Sequence, residues 1–159
     1  MTVAFSLLIT LLSSNQNEID EKKLIYARLN GEWECTKSFD LENDLRVLSD
    51  YQLYFDSSSS NGIQKGSMTI RQNGQNSRPS TLEFEIGFSF RTDSNEITFF
   101  DIRSSYLVIE KKHGFINEDS LNNDSNEKLD IAKMFFSNEA NAMKLVYRSG
   151  EEATCNKNI

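Results

Sequence analysis

The sequence predicts a mostly β domain: an antiparallel barrel of about eight strands with one helix near its C-terminal end. Three observations carry this. Leu82, Phe84, Ile86, Phe88 and Phe90 alternate strictly with Glu83, Glu85, Gly87, Ser89 and Arg91, the period of a strand with one dry and one wet face. Short runs of the same kind recur along the chain, separated by Gly, Asn and Ser turn signals. Cys35 and Cys155 then stand 120 positions apart, near the two ends of the patterned region.

Length and composition are consistent with one domain. The chain has 159 residues, 38% of them hydrophobic and 11% aromatic, with 11 Phe, 7 Gly and 1 Pro. That is globular composition with enough apolar content for its own core. A net charge of -7 and a pI near 4.8 disfavour direct nucleic-acid binding, which needs clustered Lys and Arg.

Val3 to Leu12 (VAFSLLITLL) is uncharged and apolar, and a polar, acidic stretch follows it. Such a run falls short of the roughly 20 residues that span a bilayer. It is a signal-peptide h-region, the end of an anchor that starts upstream, or a buried strand. No Lys or Arg precedes it and no A-x-A site follows it. Export or anchoring is the expectation, because the polar stretch detaches the run from the folded domain. This divides the chain into an apolar segment at 1–17, a linker at 18–30 and a barrel domain at 31–159. A Cys35–Cys155 disulfide suits the same compartment and would contribute about 4–5 kcal/mol in the chain-entropy model. Two unpaired thiols on neighbouring strands are the alternative.

The elements follow in order. Trp33, Cys35 and Phe39 share one face of the first strand, and Tyr51, Leu53 and Phe55 share one face of Val47 to Asp56. Ser57 to Gly62 is a hairpin tip. Gly66 to Gln72 carries Met68 and Ile70, and Asn73-Gly74 is a turn. After Leu82 to Arg91, the runs Glu96 to Ile102 and Tyr106 to Lys111 are two further strands, rich in β-branched and aromatic residues. Asn117 to Asn126 is polar. Asp124 and Glu127 have the spacing of a capping box, and Leu129, Ile131, Ala132, Phe135 and Phe136 predict a helix from there to about Ser137. Met143 to Ser149 and Glu152 to Asn156 form a last hairpin around Ser149-Gly150-Glu151.

Nothing in the chain has the pattern of a catalytic or metal centre, and no cofactor is expected. His113, the single histidine, sits in the turn-like Lys111-Lys112-His113-Gly114, whereas nucleophilic catalysis needs a base beside a nucleophile. No Gly-rich phosphate loop or nucleophile elbow occurs. Asp56, Asp119, Asp124 and Glu127 read as exposed or capping acids, and Asn123-Asp124-Ser125 is a glycosylation sequon. The inward strand faces remain. They are either a packed core or the wall of a chamber for an apolar or amphipathic ligand, and barrels of about eight strands stand at that boundary.

The order of features is similar to that of VtrC/ToxS-like periplasmic proteins, with their lipocalin-like barrel. The likeness covers roughly Trp33 to Thr154. It lies in Gly31-Glu32-Trp33 (the G-x-W of lipocalins), Ile97-Thr98-Phe99-Phe100-Asp101-Ile102, Tyr106-Leu107-Val108-Ile109, the polar loop, the Leu129 to Phe136 segment and Lys144-Leu145-Val146-Tyr147. The resemblance implies a non-enzymatic co-regulator, anchored in the inner membrane by its N-terminal segment. Its partner would be the periplasmic domain of a VtrA/ToxR-like transcription activator, which holds the DNA-binding domain. The pair would form an obligate heterodimeric barrel that binds bile salts and switches on type III secretion virulence genes. The ligand-binding interior would then comprise Tyr51, Leu53, Phe55, Met68, Ile70, Phe84, Ile86, Phe88, Phe90 and Phe99. A stand-alone lipocalin-like carrier is the main rival and a secreted enzyme the third reading. The cysteine pair has no counterpart in the resemblance.

Overall fold

A computed structural model describes residues 19–41, 44–72, 79–110 and 129–158. The apolar run at 3–12, the Asn73-Gly74 turn, His113, the Asp124/Glu127 capping box and the sequon lie outside the described residues. Eight antiparallel strands close a barrel in which each pairs with its neighbours in sequence and the last returns to the first. They are β1 (Gly31–Leu41), β2 (Leu45–Asp56), β3 (Asn61–Gln72), β4 (Ser80–Asp93), β5 (Glu96–Glu110), β6 (Asp130–Phe136), β7 (Ala142–Tyr147) and β8 (Glu152–Lys157). The alternation seen in the sequence places Trp33 and Cys35 of β1, Leu53 and Phe55 of β2, Phe88 and Phe90 of β4, and Leu145 of β7 in one buried core.

Cys35 and Cys155 face each other in the β1–β8 register and are joined by a disulfide. Both are buried. The bridge therefore fastens the pairing that closes the ring.

The helix lies at the opposite end of the chain from the one expected. Residues 19–29, in the stretch that reads as linker, form α1. Seven of the eleven residues in IDEKKLIYARL are strong helix formers, and Ile25, Tyr26 and Leu29 put their apolar faces on the core. The last carbonyls of a helix need outside donors. Here the Trp33 indole donates to Leu29 O at 2.8 Å, Lys157 Nζ to Arg28 O at 2.9 Å and Ser57 Oγ to Tyr26 O at 2.6 Å. Tyr26 stacks on Phe90 with ring centroids 5.6 Å apart. So α1 closes the end of the barrel where β1 begins and β2 and β4 finish. Among the described residues no helix is long and apolar enough to cross a membrane.

The helix expected after Asp124 is strand β6 where it is described. Ala132 and Met134 point in while Lys133 and the half-exposed Phe135 point out. Apolar residues on both faces of so short a run mimic helical spacing. Ladder bonds to β5 and β7 decide the matter in favour of a strand. The two strands expected between Glu96 and Lys111 are likewise one strand with a bulge. Gly87 pairs with Arg103 and Ser89 with Phe100, so Asp101 and Ile102 both oppose Phe88. Asp101 adopts φ 51°, a left-handed conformation that Asp tolerates better than most residues. The bulge switches the inward parity from Ile97 and Phe99 to Ile102 and Tyr106, which looks like a break in the sequence.

Two smaller features shape the wall. The β2–β3 connection is shorter than expected, since Gly62 already pairs with Phe55. Asp56 fixes that turn by accepting from Ser58 N and from the Ser58 and Ser59 hydroxyls at 2.6–2.9 Å, and these bonds lower its pKa. At Gly66 a Cβ would lie 2.2 Å from Asp50 O, so β3 can approach β2 there only with glycine.

Candidate ligand-binding site

Above the sealed end the inward side chains do not fill the ring. A chamber of about 220 Å³ remains, lined from seven of the strands. One wall is mainly apolar: Met68 from β3, Phe84, Ile86 and Phe88 from β4, and Phe99 and Ile102 from β5, with Gln64 and Tyr106 as its polar members. The facing wall carries Lys37 from β1, Asp130 from β6 and Tyr147 from β7. Each polar group is inward because its strand parity makes it so. Lys37 continues the face of Trp33 and Cys35, and Asp130 continues that of Ala132 and Met134.

The Lys37 ammonium forms an ion pair with Glu151, in the β7–β8 turn. It also lies 4.2 Å from the Tyr147 ring centroid and 5.1 Å from that of Phe39. The two rings hold the cation through their faces, independently of the carboxylate. Asp130 Oδ1 accepts from Ile131 N at 2.9 Å. Burial raises the Asp130 pKa above the ordinary carboxylate value, the Ile131 amide and Lys37 oppose that rise, and Glu151 adds to it. Tyr51 and Tyr147 turn their phenol oxygens toward each other, yet the Tyr51 hydroxyl has no partner of good hydrogen-bond geometry. Desolvation pushes the Tyr51 pKa up to about 12 and that of Tyr147 well above 10. Both phenols are neutral donors across the physiological range. The chamber thus offers an apolar slot with a cation, a carboxylate and a phenol concentrated on one side, the arrangement that orients an amphipathic molecule.

Of the interior residues expected from the sequence, Leu53, Met68, Phe84, Ile86, Phe88 and Phe99 line the chamber. Phe55 and Phe90 belong to the sealed end, their ring centroids 5.0 Å apart. Tyr51 meets Phe84 ring to ring at 6.2 Å, and Ile70 packs against the core. The charged wall is absent from the sequence reading. Lys37 had a signal, since it occupies the same parity as Trp33, Cys35 and Phe39. Asp130 had none once its segment was taken for a helix, and Glu151 passed as an ordinary turn residue.

A larger groove of about 890 Å³ crosses the outside of β1 to β5, past Glu34, Gln52, Lys65 and Glu85. It is open to solvent, and its Lys65–Glu85 pair, 3.0 Å apart, is exposed. The more enclosed chamber is the better candidate for a binding site, since burial of a ligand supplies affinity. Among the described residues no group of His, Cys, Asp and Glu is placed to hold a metal ion. In comparison with known proteins, the chain matches no family model and no curated protein.

Proposed function

We propose that this chain is a non-enzymatic, lipocalin-like barrel that holds a bile salt or similar amphipathic molecule for an extracytoplasmic sensory pair. The partner in this reading is the periplasmic domain of a VtrA/ToxR-like transcription activator. The N-terminal apolar segment holds the chain at the inner membrane, and ligand binding switches on type III secretion virulence genes. The observation that carries the ligand reading is the chamber with one apolar and one charged wall. The buried disulfide fits an oxidising compartment.

The partner part of the reading draws on β5. This strand pairs with β6 only through Glu96–Phe99, and beyond Phe99 the one described strand beside it is β4. Leu107 and Ile109 on this stretch are exposed. In this reading the partner docks on the face that carries these two exposed side chains. The chamber of about 220 Å³ must widen for a steroid, given that drug-sized ligands occupy roughly 300–1,000 Å³. A ligand then signals by favouring the assembled state.

Closure of the barrel by its own eight strands favours a second reading, a stand-alone carrier. Co-expression of the full chain with ToxR-like membrane activators separates the two. The first requires a stable heterodimer that binds bile salt, whereas a monomer that binds equally well alone leaves the carrier. Phe88→Ala, which enlarges the chamber beside Phe99, should change bile-salt affinity. Unchanged affinity in a folded variant argues against both.

A further inference from the structure

The ion pair inside the chamber has one partner that can leave and one that cannot. Lys37 lines the chamber, and Tyr147 and Phe39 hold its ammonium between them. Glu151 reaches Lys37 from the rim turn and is not itself part of the lining. Its side chain is 28% exposed against 18% for Lys37. Glu151 follows Gly150 in the β7–β8 turn, and as the more exposed partner it can turn out into solvent. Withdrawal of Glu151 would leave a desolvated cation at the polar end of an apolar slot, a costly state that a second anion relieves.

We propose that Lys37 is the anchor for the anionic group of a small amphipathic ligand, and that Glu151 is the internal anion this group displaces. The inference rests on the ligand-binding reading above and assigns the chemistry of its site. The ligand's apolar body lies against Phe84, Phe88 and Met68, and its anion takes the Glu151 position beside Lys37. Asp130, which also feels the Lys37 charge, keeps its bond from the Ile131 amide. With Lys37 already paired to Glu151, an incoming anion binds by exchange.

The test is calorimetric titration of the full chain with decane-1-sulfonate, 1-decanol and decylamine below their micelle concentrations, with taurocholate alongside. The sulfonates carry a fixed charge, so ligand titration does not enter. Decane-1-sulfonate should bind more tightly than decanol. Lys37→Met should weaken the sulfonate by roughly ten- to a hundredfold, the scale of a charge-assisted hydrogen bond, and leave decanol unchanged, with Lys37→Arg restoring much of the loss. Glu151→Gln should tighten the sulfonate by removing its competitor, and it carries the test if Lys37→Met does not fold. Equal weakening of sulfonate and decanol by Lys37→Met would overturn the anchor, as would a weaker sulfonate in Glu151→Gln. Decylamine as the tightest ligand, lost on Asp130→Asn, would reassign the wall to amines. If decane-1-sulfonate binds and taurocholate does not, the anchor stands and the bile-salt identity falls. Binding of none of the four removes the ligand reading itself.

Discussion

The two ends of this barrel obey the same alternation and reach opposite results. At the end covered by α1, the inward positions are Trp33, Phe55, Phe90 and Ile97, all essentially without solvent exposure. Phe55 meets both Phe88 and Phe90 edge to face, at 5.8 and 5.0 Å. Higher up, the inward Lys37, Asp130 and Tyr147 border empty space, and the buried Tyr51 packs on Phe84. One end is filled by large rings and fixes the fold. The other is left unfilled, with charges that a packed core would not keep. In the ligand-binding reading proposed above, stability and recognition are divided along the barrel axis instead of between its two faces.

The division can be broken from the sealed end with the largest effect. Trp33→Ala removes the largest buried ring and the donor to Leu29 O. It should cost about 3–5 kcal/mol, read from urea unfolding, with α1 loosened as judged by amide exchange. Opening the Cys35–Cys155 bridge by Cys35→Ser with Cys155→Ser should cost about 2–5 kcal/mol, measured as a drop in thermal midpoint. If the bridge serves the β1–β8 pairing, amides of those strands should lose protection first.

Changes at the chamber end should be smaller and should depend on pH. The folded pKa of Tyr51 is raised to about 12 from 10. Between those values the folded state holds a proton that the unfolded state releases, so stability falls as pH rises from about 10 to 12. Tyr51→Phe should abolish on the order of 2 kcal/mol of that loss, seen by comparing unfolding midpoints at pH 9 and pH 11.5. Asp130 follows the same sign in the acid range. Its folded pKa lies above 3.8, so its ionisation lowers stability as pH rises through the window above that value. Asp130→Asn should therefore be neutral or slightly stabilising at pH 7 and should flatten the acid limb of the stability curve, compared by urea unfolding at pH 4 and pH 7.

Legibility in the sequence followed the same division. The face of Leu82, Phe84, Phe88 and Phe90 was readable because five consecutive alternations admit only a half-buried strand, and the covalent partner of Cys35 was readable from compartment and count. The Asp101 bulge was not, because a parity switch and a strand end look identical in one dimension. β6 was misread because Ile131 and Phe135 put apolar groups on its outer face, and only the neighbouring strands distinguish the two periods. α1 was missed because its short apolar face, Ile25, Tyr26 and Leu29, follows a charged stretch that resembles a spacer. The charged wall was the least legible part. A lysine in a strand is ordinarily solvated, and Lys37 becomes an interior residue only once the ring closes and carries Glu151 and Asp130 to it.

Ring closure also has a kinetic side. Every described strand pairing except β1 with β8 joins neighbours in sequence, so a growing meander can assemble from local hairpins with little loop-closure entropy at each step. The final pairing joins residues 120 positions apart, and until it forms the sheet has two open edges available to other chains. Cys35 and Cys155 become neighbours at that step and no earlier. The rate at which their thiols disappear during oxidative refolding, in excess oxidant, therefore times the conversion of an aggregation-prone open sheet into a barrel.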